Sequence, residues 1–322
     1  MKIHFFLFII LLASALYSCS SDEEITDPET DDLVWDTGRN DFNFMVDGNE
    51  RHVAVHIPSA YSHSENVPVV FMLHGTGGNG NKFYNISKWV QKSEEIGFIA
   101  VFPTAIEYPL IDGSKATKWS SDGLFEQLAE GTEVVDDIKF LEHIINQLTD
   151  HLKIDERRMY ICGFSNGSGF VKSEVIPRMS HVFAAANVTG GVGIPLSYNI
   201  LGNRIMPVFN IAGSKDPKIF EKLGTNEELP LHGIDLENHE FLWEQITVFC
   251  GMLGLNSSYS ESPNPPKWNQ LTFSMKANSN ASAEYILMMV NDMPHVFPNG
   301  TNNPQDVVAV NILWPWFEKW TL

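Results

Sequence analysis

Three scarcities in this 322-residue sequence exclude whole classes of protein. Only three cysteines are present, too few for a disulfide scaffold or a cysteine-rich zinc module. Basic residues are outnumbered, 21 Lys and Arg against 40 Asp and Glu, and the formal net charge is −19. Nucleic-acid binding requires a basic face, so we expect no nucleic-acid partner. No apolar run reaches the ~20 residues of a transmembrane helix.

The first 18 residues are typical of a secretory signal peptide, because Lys2 precedes a short apolar stretch. Leu16-Tyr17-Ser18-Cys19 follows and resembles a bacterial lipobox, which predicts a lipid on Cys19 and thus a membrane anchor. Residues 19–40 are acidic and poor in aromatic residues, which predicts a tether. We expect an outer-membrane lipoprotein exposed at the cell surface. The alternative is an ordinary signal peptide and a periplasmic or secreted protein.

Residues 41–322 have the composition and patterning of a single α/β domain. Alternating apolar residues on either side of Asp47-Gly48 predict an N-terminal antiparallel hairpin. Later strand patterns are continuously apolar, which is typical of strands buried on both faces. Strands are predicted at 67–73, 97–102, 159–163, 182–188, 206–212 and 284–290, and helices at 82–95, 133–151, from 165, at 239–253 and at 304–321. This alternation predicts a mostly parallel central sheet with helices on both faces.

Two further features of the domain are a segment of loop-like composition and a pair of cysteines. Residues 254–270 are rich in Ser, Asn and Pro and are predicted to form a surface loop. Cys162 lies in an apolar strand pattern and Cys250 in a helical one. In an oxidising compartment these two cysteines are either free and buried or paired with each other.

Gly163-Phe164-Ser165-Asn166-Gly167 matches the pattern G-x-S-x-G. It follows an apolar strand and opens a helical segment, which is the context of a nucleophile elbow. The turn is so tight that small residues are needed around Ser165, and Gly163 and Gly167 supply them. A serine that only caps a glycine-rich helix start is the alternative. The pattern therefore predicts Ser165 as a catalytic nucleophile.

A nucleophilic serine requires a base and an acid that orients the base. In folds with a nucleophile elbow of this kind, the acid follows the serine along the chain and the histidine follows the acid. His295 follows the last predicted strand and Asp216 follows the strand at 206–212. Catalytic groups collect at the carboxyl ends of strands in open α/β sheets, so we predict that these two residues complete a triad. Asp235 and Asp292 remain the alternative acids.

A glycine-rich loop follows the first buried strand, as Leu73-His74-Gly75-Thr76-Gly77-Gly78-Asn79-Gly80. It looks like an HGGG-type oxyanion loop. The backbone N–H groups of Thr76 and Asn166 are therefore the predicted oxyanion donors. A nucleotide-binding loop is the competing interpretation, but the Walker lysine and the G-x-G-x-x-G spacing are missing. We predict no metal site and no cofactor.

Together, these segments resemble the polyhydroxybutyrate depolymerase-like and feruloyl esterase-like α/β-hydrolases of carbohydrate esterase family 1. The resemblance extends over about residues 40–320 and includes Val135-Asp136-Asp137-Ile138 and Gly213-x-x-Asp216-Pro217. It implies that Trp119 lies near the acyl pocket, and that Phe297 replaces a tryptophan of that pocket. It also implies a structural role for the two adjacent aspartates.

The resemblance implies a serine carboxylic ester hydrolase of the EC 3.1.1 type that works through an acyl-enzyme. The expected substrates are feruloyl or acetyl esters on polysaccharide, because a surface lipoprotein suits polymers too large to import. A polyhydroxybutyrate-type polyester is the alternative substrate. A serine peptidase of the same fold is a further alternative. A non-catalytic binding lipoprotein is disfavoured because all three predicted triad members are present.

Overall fold

The computed structural model describes residues 33–191, 204–223, 228–275 and 282–322. The strands are β1 (Gly38–Val46), β2 (Asn49–Ile57), β3 (Val67–Leu73), β4 (Ile99–Pro103), β5 (Ile106–Pro109), β6 (Lys115–Lys118), β7 (Ile154–Phe164), β8 (Ala185–Thr189), β9 (Val208–Gly213), β10 (Leu255–Asn264), β11 (Trp268–Met275) and β12 (Glu284–Val290). The helices are α1 (Gly80–Ile86), α2 (Trp89–Ile96), α3 (Asp137–His151), α4 (Asn166–Phe170), α5 (Ile176–Met179), α6 (Pro217–Leu223), α7 (Gly233–Glu237), α8 (Glu240–Met252) and α9 (Ala309–Phe317). A 3₁₀ turn spans Phe125–Gln127, and a π-helical turn, Val171–Val175, joins α4 to α5.

The described strands other than β5 and β6 form one sheet in the order β1-β2-β4-β3-β7-β8-β9-β12-β11-β10. The six central strands, from β4 to β12 in this order, pair in parallel. The hairpins β1–β2 and β10–β11 add antiparallel strands at the two edges. The predicted α/β fold with a mostly parallel central sheet and an N-terminal antiparallel pair is confirmed. The short β5–β6 hairpin stands apart from this sheet.

Helices cover both faces of the sheet, as the contacts of β2 show. His56 bonds to Tyr84 of α1, with 2.9 Å between Nδ1 and the hydroxyl oxygen. Arg51 of the same strand lies over the ring of Phe140 in α3, 4.0 Å from its centroid. Residues an odd number of positions apart point to opposite faces of a strand. Helices α1 and α3 therefore pack on opposite sides of β2.

The N-terminal hairpin turns at Asp47 and Gly48, whose φ angles are 48° and 76°. Both are positive, as a two-residue type I′ turn requires, and this turn matches the right-handed twist of the two strands. Phe42 and Phe44 alternate into the interior. Strand β1 begins at Gly38, so the last residues of the predicted 19–40 tether belong to the sheet.

The prediction of a surface loop over residues 254–270 is wrong. These residues contain β10 and the start of β11, which form a hairpin that extends the sheet beyond β12. Leu271 and Phe273 alternate into the core, whereas most of β10 is exposed. An edge strand tolerates proline and many polar residues, because one of its sides makes no ladder hydrogen bonds. A loop-like composition therefore concealed an edge hairpin.

Two predicted helices are longer than the observed ones. The predicted helix at 82–95 is broken between α1 and α2, because Lys88 has a left-handed φ of 70°. The predicted helix at 304–321 contains only α9, from Ala309 to Phe317. The extra predicted residues lie in turns and irregular structure.

The two cysteines of the described residues, Cys162 and Cys250, are buried and free, so they do not pair. Burial raises the pKa of the Cys162 thiol well above its usual value and that of Cys250 to about 12. Both thiols are therefore protonated and unreactive near neutral pH. Cys19 and the predicted signal peptide lie outside the described residues. Within the described parts of the chain, no helix has the length and apolarity needed to cross a bilayer.

Candidate active site

Ser165 occupies the sharp turn between β7 and α4. Its φ and ψ angles are 53° and −115°, a conformation that non-glycine residues rarely adopt. A Cβ at Gly163 would lie 2.4 Å from the Gly167 carbonyl oxygen, and a Cβ at Gly167 would lie 2.6 Å from the His74 carbonyl oxygen. Only glycine fits at either position. The motif thus has a steric cause, and the strained turn holds Ser165 at the end of β7.

The imidazole of His295 lies between Ser165 and Asp216. Its Nε2 is 2.9 Å from Ser165 Oγ, and its Nδ1 is 2.8 Å from Asp216 Oδ2. Because an ionised carboxylate only accepts hydrogen bonds, His295 donates from Nδ1–H and Nε2 is left to accept from the serine hydroxyl. Asp216 is 1% exposed, whereas the side chain of His295 is 20% exposed. The structure therefore brings the three predicted triad residues into one hydrogen-bonded line.

Hydrogen bonds hold the acid and the base in this arrangement. The second carboxylate oxygen of Asp216 accepts from the Lys218 N–H at 2.9 Å. The loop after β9 is joined to the loop carrying His295 by two further bonds. Lys215 N–H donates to the Met293 carbonyl at 3.1 Å, and Asp292 N–H donates to Ser214 Oγ at 2.9 Å. These two bonds link the loop that carries the acid to the loop that carries the base.

The alternative acids are placed differently. Asp292 forms an ion pair with Lys215 at the protein surface. Asp235 lies in α7, in the first turn of that helix. Of the three candidate acids, Asp216 is the one that the structure places against His295.

The glycine-rich loop lies directly against the nucleophile. A Cβ at Gly75 would be 3.0 Å from Ser165 Cβ, and Thr76 is the next residue. His74 fixes this loop, because its Nδ1–H donates to the Gly75 carbonyl at 2.7 Å and its Nε2 accepts from the Ala105 N–H at 3.0 Å. Burial lowers the pKa of His74 to about 4. The imidazole is therefore neutral at pH 7, as both hydrogen bonds require.

The two residues predicted to line the acyl pocket, Trp119 and Phe297, are buried. Trp119 is fully buried, with its Nε1–H donating to the His74 carbonyl at 2.8 Å. Phe297 is 4% exposed and packs edge-on against Phe83, with 6.3 Å between ring centroids. Neither ring offers an accessible face to a substrate. The structure therefore corrects this prediction, because both rings are buried in the core and do not line an open pocket.

A buried ion pair that was not predicted from the sequence lies next to Trp119 and Ser120. Arg51 Nη2 lies 2.5 Å from Asp137 Oδ1, and both side chains are almost completely buried. The other oxygen of Asp137 accepts from the Ser120 N–H at 2.8 Å, next to Trp119. The available signal was the register of β2, which places Arg51 on the same face as the buried Val53 and Val55. A charged residue in a buried register requires a partner.

The adjacent aspartates at the start of α3, Asp136 and Asp137, make different structural contacts. Asp136 caps the helix by accepting from the Ile138 N–H at 3.1 Å and forms a surface ion pair with Arg178. Asp137 points inward to Arg51. This arrangement agrees with the structural role that the resemblance implies.

Replacing Arg51 by methionine should destabilise the fold by about 3–5 kcal/mol, because Asp137 would stay buried without its partner. Urea unfolding followed by tryptophan fluorescence measures this loss. Arg178→Met is the matched control, because it breaks an exposed ion pair to the neighbouring Asp136 and should cost less than about 1 kcal/mol. Equal losses in the two variants would contradict the importance assigned to burial.

Comparison with known proteins agrees with this geometry. The sequence profile of the phospholipase/carboxylesterase family matches residues 57–228, more than half of the chain. A bifunctional acetylxylan esterase/xylanase of Neocallimastix patriciarum is 26% identical over 176 residues, which are 52% of this chain and 22% of that protein. Feruloyl esterase D of Neurospora crassa is 26% identical over 145 residues, 45% of this chain and 47% of that enzyme. The chain thus matches less than half the length of either relative.

A solved structure shares the fold. The acetyl xylan esterase from Aspergillus awamori superposes with a TM-score of 0.55 at 12% identity, covering 87% of this chain and 99% of that one. The match at this identity concerns the fold alone. The prediction of an esterase-like α/β-hydrolase is thus confirmed at the level of family and fold. The chain belongs to the phospholipase/carboxylesterase family.

Proposed function

We propose that this protein is a serine carboxylic ester hydrolase that works through an acyl-enzyme. The observation that best supports the proposal is the hydrogen-bonded line from Asp216 through His295 to Ser165, with distances of 2.8 and 2.9 Å. The three residues follow β9, β12 and β7, three strands of the central parallel sheet. Such a line turns a weakly nucleophilic hydroxyl into an effective nucleophile.

In the proposed reaction, Ser165 Oγ attacks the ester carbonyl while His295 Nε2 takes the hydroxyl proton. Asp216 keeps the proton of Nδ1 in place and stabilises the imidazolium that forms. The N–H groups of Thr76 and Asn166 donate to the developing oxyanion. Collapse of the tetrahedral intermediate expels the alcohol, which takes the proton from Nε2. Water then attacks the acyl carbonyl as His295 Nε2 takes its proton. The second tetrahedral intermediate breaks its bond to Ser165 Oγ, which takes the proton from Nε2, and the acid is released.

The proposed substrates are feruloyl or acetyl esters on polysaccharide. The two curated relatives are named an acetylxylan esterase/xylanase and a feruloyl esterase. Both match this chain at 26% identity. We extend their ester class to this chain because its Asp216–His295–Ser165 line suits the hydrolysis of an ester.

The proposed location is the cell surface, with the domain held by a lipid on Cys19 and by the acidic residues that follow it. A surface anchor supports the same substrate class, since an acylated polymer cannot enter the cell. Incorporation of labelled palmitate by the wild type, and its loss in Cys19→Ser, is the result expected for this lipid anchor.

The protein without residues 1–20 should hydrolyse p-nitrophenyl acetate and, with higher kcat/KM, either methyl ferulate or acetylated xylan. A hydroxybutyrate oligomer and a peptide p-nitroanilide complete the panel. Preference for the oligomer would replace the polysaccharide ester by a polyester. Cleavage of the anilide without ester hydrolysis would make the protein a peptidase. Absence of turnover on every substrate would overturn the proposal.

A further inference from the structure

We propose that residues 117–119 form a clamp that sets the geometry of both oxyanion donors, and that Trp119 and Thr117 are positioning residues of the reaction. The clamp consists of Thr117 and Lys118, at the end of β6, and of Trp119. It rests on the proposed function, because it acts through the oxyanion loop and Asn166. Neither the family match nor the motif pattern assigns it this role.

The clamp contacts the oxyanion loop at His74, Gly77 and Gly78. The Trp119 Nε1–H donates to the His74 carbonyl at 2.8 Å. Thr117 contributes two bonds: its carbonyl accepts from the Gly77 N–H at 2.9 Å, and its hydroxyl donates to the Gly78 carbonyl at 2.5 Å. These contacts involve residues that precede and follow Thr76 in the chain, so they fix the orientation of its N–H.

The third member adds a contact at Thr76 itself. Lys118 Nζ lies 3.4 Å from Thr76 Oγ1 and 2.8 Å from Gln127 Oε1. The side chain of Lys118 is 8% exposed. Both acceptors are neutral oxygens, and burial lowers the pKa of the Lys118 ammonium.

The same segment also reaches the second donor. The backbone N–H of Trp119 donates to Asn166 Oδ1 at 2.7 Å, and Asn166 Nδ2 donates to the Trp119 carbonyl at 3.3 Å and to Ser121 Oγ at 2.9 Å. The side chain of Asn166 is thus held at both ends, which fixes the residue whose N–H follows the nucleophile. One short segment therefore sets the distance between the two donors.

The clamp is also bonded to neighbouring elements on both of its sides. Lys118 pairs with Ile106 in the β5–β6 hairpin. On the other side, the Ser120 N–H is held by Asp137, which is held by Arg51 of β2. The clamp is consequently tied to the sheet through Asp137 and Arg51 and to the separate β5–β6 hairpin through Lys118.

Such an arrangement predicts a specific kinetic signature. Oxyanion donors interact more strongly with the transition state than with the bound ester, so loosening them lowers kcat more than it raises KM. A displacement of about 1 Å can cost up to about 100-fold in rate. A residue with a purely structural role would lower stability without this signature.

The test compares Trp119→Phe and Thr117→Val with the wild type. Trp119→Phe keeps an aromatic ring but removes the donor to His74, and Thr117→Val keeps the shape but removes the donor to Gly78. We expect kcat for p-nitrophenyl acetate to fall about 10–100-fold in each, with KM within about twofold. Thr117→Val provides the second test should the fully buried Trp119→Phe fail to fold.

A spectroscopic readout separates positioning from general damage. Ser165 Oγ should add to the ¹³C-labelled carbonyl carbon of a trifluoromethyl ketone while its proton passes to His295 Nε2. The resulting hemiketal oxygen occupies the oxyanion position. Its ¹³C shift titrates with the pKa of that hemiketal. We expect both variants to raise this pKa by about one pH unit, equivalent to a tenfold weaker preference for the oxyanion.

Trp89→Phe is the matched control, because Trp89 is also fully buried but its Nε1 has no hydrogen-bond partner in the described structure. It should leave kcat and the hemiketal pKa at wild-type values. Unchanged kcat in both clamp variants, or a fall in kcat with an unchanged hemiketal pKa, would overturn the clamp while leaving the proposed function intact. A wild type without ester hydrolysis would instead overturn the proposed function and, with it, the clamp.

Discussion

Ser165→Ala is expected to lower kcat for p-nitrophenyl acetate by roughly 10⁵-fold or more. Without the hydroxyl, no acyl-enzyme forms, and hydrolysis would proceed only by water attack beside the remaining oxyanion donors. Those donors and substrate binding retain about 10³–10⁴-fold of catalysis over water in comparable triads. Steady-state rates of the two proteins, both without residues 1–20, measure the difference.

Ser168→Ala provides the control for this experiment. Ser168 lies in the same helix, α4, and is almost fully buried, and its Oγ has no hydrogen-bond partner in the described structure. The substitution therefore removes a hydroxyl from the same element without touching His295, and kcat should stay within about twofold of wild type. A rapid burst of p-nitrophenol should appear in the control and vanish in Ser165→Ala. Equal rates in Ser165→Ala and wild type would remove Ser165 from the mechanism.

The nucleophile elbow was predictable because its requirements are local. A strand, a turn with two obligatory glycines and a helix start all lie within a few residues of Ser165. The positions of Asp216 and His295 could be predicted for a different reason. Each follows an apolar strand, and parallel strands deliver their following loops to one edge of the sheet. The structure adds the distances, which no sequence pattern contains.

The support behind the site was not predictable in the same way. Arg51 and Asp137 are 86 positions apart, and their contact depends on the packing of α3 against β2. The strands β5 and β6 have four residues each, too few to show a periodicity. Trp119 lies near the catalytic serine in space, but whether a ring faces the substrate or the core depends on its neighbours. The structure shows that Trp119 is fully buried by its neighbours, so its ring does not face a substrate.

The edges of the sheet show the same limit. The alternation of β1 and β2 with an Asp-Gly turn is a strong local signal, and that hairpin was predicted. The β10–β11 hairpin also alternates in β11, where Leu271 and Phe273 are buried. Its partner β10 is polar, because little of it faces the core. Composition misleads where a strand gains its order from main-chain pairing with a neighbour.

Asp216→Asn should lower kcat by about 10⁴-fold with little change in the fold. The asparagine amide would fit in the same buried position, where its oxygen can still accept from the Lys218 N–H. Its NH₂ group would then face His295 Nδ1 as a donor. Nδ1 must accept, so the ring proton moves to Nε2, and Nε2 can no longer take the proton of Ser165. The loss thus comes from the wrong tautomer.

Asp292→Asn separates this account from a general loss of negative charge near the base. Asp292 follows the same strand as His295, but it pairs with Lys215 at the surface. Its substitution should leave kcat within about threefold of wild type. The Nδ1–H proton of His295 provides a second readout by ¹H NMR. Its hydrogen bond to a buried carboxylate should shift it strongly downfield in the wild type and in Asp292→Asn, and this downfield signal should be absent in Asp216→Asn. A large loss in Asp292→Asn together with an active Asp216→Asn would exchange the two aspartates in the triad. If both variants remained fully active, His295 would be acting without an orienting carboxylate, and the hydrogen bond at 2.8 Å would have no catalytic role.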